Sequence, residues 1–277
     1  MGYNSPMALP KIDLPTALKR KLQQGHPWVY RDQLPAGLRY PEGAWVRVRC
    51  GGFQAFGLWD DQGPIAVRIY SRGGVPDPAW VRERVRQAWE LREPIRAGGT
   101  TAYRWISGEA DGLPAIVVDL YGQYATIHRY ARGTDALLPW LVEALRQEVP
   151  LRGILERPAG EGSGAVRVAW GQAPPRDLVV QEHGLKFRAN LFEGQKTGLF
   201  LDHRENRRQV EAWCRDSRVL NCFSYTGGFS LYAARGGARE ITSCEIAAQA
   251  TAEAIENFRL NGFDPAPHIF LSQDVFQ

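Results

Sequence analysis

The sequence contains little cysteine. Its four cysteines, Cys50, Cys214, Cys222 and Cys244, are scattered along 277 residues. None stands in a Cys-x-x-Cys pair or beside a histidine cluster, so the sequence shows no zinc-site spacing. Sparse cysteines without regular spacing are typical of proteins in a reducing compartment, and we expect a cytoplasmic protein.

Long apolar stretches are missing as well. No run approaches the roughly 20 residues that a membrane-spanning helix requires, and residues 1–10 lack an apolar core behind a basic start. The sequence therefore predicts neither membrane association nor a secretory signal. With 44% hydrophobic and 23% charged residues, the composition excludes the disordered and fibrous classes, and the length suffices for two or three globular domains.

The excess of positive charge is confined to the first third of the chain. Residues 1–97 hold 15 Lys+Arg and 9 Asp+Glu, whereas residues 98–277 hold 19 and 21, which gives the overall charge of +4. A cationic surface attracts phosphate backbones through counterion release, so the first third is a candidate for nucleic-acid binding. A solvated, arginine-rich face explains the same counts.

The first two parts of the chain are predicted to be a β-rich domain over residues 1–75 and an α+β domain over residues 76–180. In the first, a helix over 14–23 ends at His26-Pro27, because the residue before proline is pushed out of helical conformation. Its strand-like runs, separated by glycine-containing turns, are residues 45–50, 53–59 and 65–70. The second combines helices over 80–95 and 134–147 with strands over 103–106, 115–119, 124–128 and 153–156.

From residue 181 to 277 the pattern changes to strands alternating with helices. The strands are predicted over 218–223, 240–245 and 268–271, and the helices over 203–213, 227–235 and 247–260. Such alternation predicts a parallel, doubly wound, Rossmann-like sheet. The fold class is therefore a multidomain α/β and α+β protein.

The tips of these three strands carry the candidate site. The first strand runs into Ser224-Tyr-Thr-Gly-Gly228, and a glycine-bearing turn before a helix lets a ligand approach backbone N–H groups. Glu245 ends the second strand, 24 residues after Asn221, where an acid can accept hydrogen bonds from ribose hydroxyls. Asp274 follows the third strand and can accept from an adenine amine. Taken singly, the first feature can be an ordinary strand-to-helix turn. The second can be an acid that is stabilised at a helix N-terminus.

Together the three features predict an adenosine-containing cofactor. The turn lacks the third glycine of the dinucleotide-binding fingerprint, and no phosphate-binding lysine accompanies it. Both absences argue against NAD and ATP. S-adenosylmethionine, which carries no phosphate, fits this turn better.

Two motifs about 20 residues apart resemble those of the RlmI-type 23S rRNA cytosine-5 methyltransferases: Gly194-Gln-Lys-Thr-Gly-Leu-Phe-Leu-Asp-His-Arg-Glu-Asn-Arg207 and Val219-Leu-Asn-Cys-Phe-Ser-Tyr-Thr-Gly-Gly-Phe-Ser230. His26-Pro-Trp-Val-Tyr30 resembles the start of that family's RNA-binding PUA domain. Gly108-Glu-Ala-Asp-Gly-Leu-Pro-Ala-Ile-Val-Val-Asp119 is similar to the hallmark of its central α+β domain. The resemblance covers nearly the whole chain in the family's domain order, with a PUA-like β barrel first and a class I methyltransferase domain last.

The resemblance implies roles for individual residues. The cofactor-binding residues would be Lys196, Thr197, Gly198, Phe200, Asp202, Arg204, Asn221, Phe223, Ser224, Tyr225, Thr226, Gly227, Glu245 and Asp274. Among them, Glu245 would hold the ribose, Asp274 would meet the adenine, and the segment that begins at Lys196 would cover the methionine end. In the basic domain, Arg31, Arg47 and Arg49 are candidates for RNA phosphate contacts, whereas Trp28, Tyr30 and Trp45 suit either RNA stacking or the core.

The chain departs from the family in two motifs. A fourth-strand Asp-Pro-Pro and a later catalytic cysteine are not found. Cytosine carbon 5 becomes nucleophilic when a thiolate adds to carbon 6, so this chemistry needs an activated cysteine. None of the four cysteines is assigned that role, because buried cysteine usually acts as a small apolar residue. We therefore expect a C-terminally shortened chain that does not methylate RNA by itself.

Three functions stay open at this point. The first is an S-adenosylmethionine-dependent methyltransferase that acts on 23S ribosomal RNA, without a membrane partner and with a homodimer as one candidate assembly. The second is a non-catalytic RNA-binding or ribosome-assembly protein that keeps a vestigial cofactor fold. The third is an S-adenosylmethionine enzyme that methylates another RNA position or another substrate. No metal is expected in any of them.

Overall fold

A computed structural model describes residues 9–158, 166–192 and 199–276. The chain forms two compact units. The first comprises residues 1–92, 105–119 and 123–173, and the second comprises residues 93–104, 120–122 and 174–277. The three-part division at residues 75 and 180 stays a prediction. Within the described ranges, no helix has the length and hydrophobicity to cross a membrane.

The N-terminal part of the first unit is a curled five-stranded sheet with a short helix. The strand order is β1-β3-β4-β5-β2, and β1 runs parallel to β3 while the other pairs are antiparallel. Val46, Val48 and Cys50 alternate into a core that also holds Val29 and Trp59. The elements are β1 (Lys11–Asp13), α1 (Lys19–Gln23), β2 (Trp28–Tyr30), β3 (Trp45–Cys50), β4 (Phe53–Trp59) and β5 (Ile65–Ser71).

The sequence pattern predicts β3, β4 and β5 but not the two short edge strands. Three residues carry too little alternation to signal a strand, and β1 and β2 form because β3 and β5 offer them hydrogen-bonding edges. The predicted helix over 14–23 is a 3₁₀ turn at Thr16–Leu18 followed by α1.

A second five-stranded sheet has the order β10-β9-β8-β7-β6. Strands β8 and β9 are parallel, with Ala125 opposite Ile154, and β10 lies antiparallel to β9. Helix α2 begins where Asp77 Oδ1 accepts the Trp80 amide (2.7 Å) and Pro78 fills the first turn. The elements are α2 (Pro78–Leu91), α3 (Glu93–Ala97), β6 (Ala102–Ser107), β7 (Ile116–Tyr121), β8 (Tyr124–Arg129), α4 (Leu138–Glu148), β9 (Gly153–Arg157) and β10 (Arg167–Gly171).

The C-terminal part of the second unit contains a hairpin and a three-stranded parallel sheet. The hairpin turns at His183-Gly184, where both residues have positive φ (47° and 82°) as a tight hairpin turn requires. The sheet order is β13-β14-β15. The elements are β11 (Leu178–Glu182), β12 (Leu185–Ala189), α5 (Arg204–Glu211), β13 (Arg218–Cys222), α6 (Gly228–Arg235), β14 (Glu240–Glu245), α7 (Ala248–Leu260) and β15 (Ile269–Ser272).

Strand register places the carboxyl ends of the parallel strands side by side. Cys222 of β13 lies opposite Cys244 of β14, and Glu245 lies opposite Ser272 of β15. Ser243 on β14 is buried, whereas Leu220 on the edge strand β13 is 68% exposed. The predicted alternation of strands and helices is confirmed, and it brings the three sequence-predicted strand tips to one edge of the sheet.

Candidate cofactor-binding site

The turn between β13 and α6 has an unusual backbone. Phe223 (φ 57°), Tyr225 (φ 49°) and Gly227 (φ 78°) all adopt left-handed conformations within five residues. For a residue with a side chain this conformation costs about 1–2 kcal/mol. Strain of this kind persists when surrounding contacts fix it, and it concentrates at functional sites.

Hydrogen bonds from neighbouring elements hold the turn. The Ser224 amide donates to the carbonyl of Cys244 on β14 (3.0 Å), and the Gly227 amide donates to Ser224 O (2.9 Å). The Asn257 side chain, fully buried on α7, donates to Thr226 O (2.9 Å). The turn is therefore tied to both β14 and α7, which fixes its N–H groups in place.

Glu245 binds directly to this turn. Its Oε2 accepts the Tyr225 amide (2.9 Å) and its Oε1 accepts the Ala247 amide (3.1 Å). The carboxylate thus joins the first strand tip to the start of the next helical segment. Each carboxylate oxygen has a second lone pair, so Glu245 can still accept from the hydroxyls of a bound ligand.

Asp274 lies two residues beyond the end of β15. Its Oδ1 accepts the Phe276 amide (2.9 Å), which forms a local turn. The Phe276 ring lies 5.8 Å from the ring of Phe223, so the third strand tip reaches the first. Tyr225, Glu245 and Asp274 therefore belong to one edge of the sheet, as their sequence positions predict.

Aromatic side chains from residues 199–211 face the turn from the other side. The Phe200 ring lies 5.3 Å from the Tyr225 ring in an edge-on contact. His203 lies 6.2 Å from Phe200 and 5.9 Å from Phe229 on α6. These contacts close one wall of a cleft at the turn.

The cleft has a volume of about 160 Å³ and opens to solvent. This volume lies below the roughly 300–1,000 Å³ that is usual for small-molecule pockets. Backbone amides of a strained turn, aromatic walls and nearby carboxylates suit a nucleoside with an amino-acid tail. The lining residues are Leu199, Phe200, His203, Arg207, Phe223, Ser224, Tyr225, Thr226, Gly228 and Phe229.

Some of the predicted cofactor residues line the cleft, and others do not. Phe200, Phe223, Ser224, Tyr225 and Thr226 line the cleft. Gly227 packs against α7 directly beneath the turn, since a Cβ there would lie 2.7 Å from Ala254 Cβ. Glu245 accepts a hydrogen bond from the turn, and Asp274 lies on the segment whose Phe276 ring contacts Phe223, but neither carboxylate is among the lining residues.

Three other predicted cofactor residues point elsewhere. Asp202 is exposed. Arg204 Nε donates to Glu205 Oε1 (2.8 Å), an interaction that lowers the pKa of that carboxyl. Asn221 Nδ2 donates to Ser230 Oγ (2.8 Å), which ties β13 to α6. Their assigned cofactor roles stay predictions, and Lys196, Thr197 and Gly198 lie outside the described residues.

Five lining residues are absent from the predicted set: Leu199, His203, Arg207, Gly228 and Phe229. His203 and Arg207 stand four residues apart, a spacing that places two side chains on the same helix face. That four-residue spacing is the signal available in the sequence. It places both side chains beside Phe200 and against α6. Phe229 follows the turn immediately.

The candidate RNA-binding arginines of the first unit all make contacts within the protein. Arg31 Nε donates to Gly63 O (3.0 Å), and its guanidinium lies 5.5 Å from the Trp59 ring centre. The Arg47 guanidinium lies 5.2 Å from the Phe56 ring centre. These contacts orient the side chains, and an RNA role for them stays a prediction.

Arg49 is the most accessible of the three, with a side chain that is 49% exposed. Its Nε and Nη2 donate to the two carboxylate oxygens of Asp13 (2.8 and 2.9 Å). This ion pair is solvent-exposed, and such pairs contribute little to stability. The guanidinium is therefore available to a competing phosphate.

The cysteines differ in exposure. Cys50, Cys214 and Cys244 are buried, and burial raises the pKa of the Cys50 and Cys214 thiols. Those two side chains are therefore poorly suited to act as thiolates. Cys222 is exposed at the end of β13.

Known proteins match both ends of this chain. A family model for S-adenosylmethionine-dependent methyltransferases matches residues 165–277, and a PUA-like domain model matches residues 12–72. A SAM-dependent methyltransferase from Streptococcus mutans superposes on this chain with a TM-score of 0.85 and 24% sequence identity. The superposition covers 97% of this chain and 72% of the S. mutans chain, and at this identity it shows the fold alone. A methyltransferase structure in complex with SAH superposes with a TM-score of 0.87 at 25% identity, covering 97% and 71%.

Curated relatives match along almost the whole chain. The ribosomal RNA large subunit methyltransferase of Deinococcus radiodurans is 38% identical, and the match covers 96% of this chain and 70% of the relative. The ribosomal RNA large subunit methyltransferase I of Vibrio cholerae is 35% identical over 97% of this chain and 71% of the relative. The expected cofactor and fold class are thereby confirmed. The chain belongs to the family of S-adenosylmethionine-dependent ribosomal RNA large subunit methyltransferases.

Proposed function

We propose that this protein binds S-adenosylmethionine at the strained turn and methylates carbon 5 of a cytosine in 23S ribosomal RNA. The observation that carries the proposal is the hydrogen bond from the Tyr225 amide to Glu245, because it joins two strand tips beside one cleft. The names of the relatives support ribosomal RNA as the substrate class.

The cofactor would be held by residues from all three strand tips. Glu245 accepts from the ribose hydroxyls, Asp274 accepts from the adenine amine, and the turn over residues 223–227 wraps the methionine part. When bound, S-adenosylmethionine supplies an electrophilic methyl group on a sulfonium. The chain's own contribution is to orient that methyl group and to exclude water from it.

RNA would be recognised by the basic β-rich part of the first unit. Phosphate contacts from exposed arginines give affinity, and the target base must be unpaired or flipped, since carbon 5 is stacked within a helix. Methyl transfer to carbon 5 requires a thiolate to add to carbon 6, a methyl transfer, and then loss of the carbon 5 proton and the thiolate. No cysteine of the chain is assigned that role here.

The relatives give no support to the expectation that this chain alone does not methylate RNA. The direct test incubates the protein with S-adenosylmethionine labelled in the methyl group and with 23S ribosomal RNA, then digests the RNA to nucleosides. We expect label in 5-methylcytidine. Label in another nucleoside would contradict the position, and a chain that binds cofactor and RNA without any transfer would favour the non-catalytic alternative.

Glu245→Ala is expected to weaken S-adenosylhomocysteine binding by about 1–3 kcal/mol, because ligand hydroxyls and the Tyr225 amide lose their acceptor. Titration calorimetry measures the change. Glu240→Ala is the matched control, since Glu240 begins the same strand and pairs with exposed Arg218. Equal binding by the Glu245 variant and the wild type would remove Glu245 from the cofactor site.

Arg49→Gln is expected to lower the affinity for ribosomal RNA fragments and to reduce the dependence of that affinity on salt by about one counterion. The measurement is a series of binding titrations across salt concentrations. Arg218→Gln removes the same charge from another exposed pair, 70% exposed in its side chain, and serves as the control. A salt dependence that changes equally in both variants would argue against a phosphate contact at Arg49.

A further inference from the structure

Arg207 is a buried cation at the wall of the cleft. Its side chain is 3% exposed, and it pairs with Glu182 of β11, whose side chain is fully buried. Arg207 Nε donates to Glu182 Oε1 (2.8 Å) and Nη2 donates to Oε2 (2.7 Å). The Tyr232 hydroxyl also donates to Glu182 Oε1 (3.0 Å), and burial raises the pKa of that phenol, which keeps its proton in place.

The geometry of this pair leaves one end of the guanidinium unused. Because Nε and Nη2 form one edge of the planar group, binding Glu182 through that edge directs Nη1 away from the carboxylate. Nη2 makes a further bond to Phe200 O (3.0 Å). Among the described residues, Nη1 has no hydrogen-bond partner.

Nη1 lies at the start of α6. A Cβ built on Gly228 would stand 3.6 Å from Nη1 and 3.2 Å from Arg207 Cδ, so the glycine allows this close approach. The first amides of an α-helix have no partner inside the helix and carry partial positive charge. Arg207 and Gly228 both line the cleft. A buried guanidinium and a helix N-terminus therefore converge on one end of it.

S-adenosylmethionine carries a single anionic group, the carboxylate of its methionine part. Given the proposed function, on which this inference rests, we propose that Arg207 Nη1 and the N-terminal amides of α6 form the site that binds this carboxylate. Glu245 accepts from the ribose, so the two charged residues fix the direction of the cofactor along the cleft. Glu182 is then a positioning residue, because its two hydrogen bonds set the plane of the guanidinium.

A purely structural role for Arg207 makes a different prediction. If the arginine only neutralises Glu182, its replacement affects every ligand of the cleft alike, through the shape or stability of the fold. If it binds the carboxylate, its replacement affects only ligands that have one. Two adenosyl ligands separate the cases: S-adenosylhomocysteine carries the amino-acid tail, whereas 5′-methylthioadenosine lacks it.

The test measures both ligands by titration calorimetry on the wild type and on Arg207→Lys, which keeps a positive charge beside Glu182. We expect the variant to bind S-adenosylhomocysteine about 10- to 100-fold more weakly, the loss of one charge-assisted hydrogen bond, and to bind 5′-methylthioadenosine within about twofold of the wild type. Arg235→Lys is the control, since Arg235 forms a similar pair with Glu211 and does not line the cleft.

An equal loss for both ligands, or no loss for either, would overturn the carboxylate role. A wild type that binds neither ligand would instead refute the proposed function, so the two failures are distinguishable. If Arg207→Lys fails to fold, the wild type alone still decides, because it must prefer S-adenosylmethionine over its decarboxylated form by a similar factor. Equal affinity for those two ligands would also overturn the proposal.

Discussion

Gly227→Ala is expected to destabilise the second unit by about 2–5 kcal/mol and to abolish measurable S-adenosylhomocysteine binding. Two effects add. The new Cβ would lie 2.7 Å from Ala254 Cβ, so α7 must move or the turn must open, and overpacking of this kind costs about 1–3 kcal/mol. The left-handed conformation (φ 78°) costs a further 1–2 kcal/mol or so once the residue has a side chain.

Chemical denaturation measures the stability change, and calorimetry measures the binding. Gly262→Ala is the matched control. Gly262 has almost the same φ (77°) at the end of α7, but a Cβ there meets nothing within 4 Å. That variant should lose only the conformational part, about 1–2 kcal/mol, and keep ligand binding. Equal losses of stability in both variants would contradict the packing argument.

Glu182→Ala is expected to destabilise the protein by about 3–5 kcal/mol, because it leaves the buried Arg207 guanidinium without its partner. The Tyr232 hydroxyl loses an acceptor at the same time. The charge cannot be relieved by deprotonation, since arginine stays protonated in proteins. The free energy of unfolding, taken from denaturant titrations, is the quantity to compare with that of the wild type.

Glu240→Ala provides the control for this experiment as well. It breaks the exposed pair with Arg218, and such a pair contributes less than about 1 kcal/mol. The two variants remove the same side chain type from an arginine partner and differ mainly in burial. A Glu182 variant no less stable than the Glu240 variant would show that the buried pair does not hold α5 and the cleft wall in place.

Local patterns in the sequence were sufficient to predict the strands of the parallel sheet and the residues at their carboxyl ends. Apolar runs ending in Glu245 and shortly before Asp274 predicted adjacent strand ends, and the register of β14 with β13 and β15 bears this out. This works because strands alternating with helices admit few arrangements, and parallel strands end at the same edge. The closeness of Tyr225 and Glu245 at this edge follows from that rule alone.

The parts that the sequence analysis missed depend on contacts between distant residues. Arg207 and Glu182 are 25 positions apart, and nothing in either neighbourhood shows that they pair. Strand β11, which carries Glu182, stood at the predicted boundary at residue 180 and was not anticipated. Arg204 lies three positions before Arg207 in the same basic motif and binds its neighbour Glu205, so the motif alone does not show which of its arginines faces the cleft.

The central claim is that three strand tips form one adenosyl-binding cleft, and a crystal structure of the protein with S-adenosylhomocysteine tests it most directly. The account predicts the ribose hydroxyls within hydrogen-bond distance of Glu245 and the sulfur beside the turn over residues 223–227. It also predicts the ligand carboxylate at Arg207 Nη1. A ligand bound elsewhere, or a protein that binds none at saturating concentration, would contradict it.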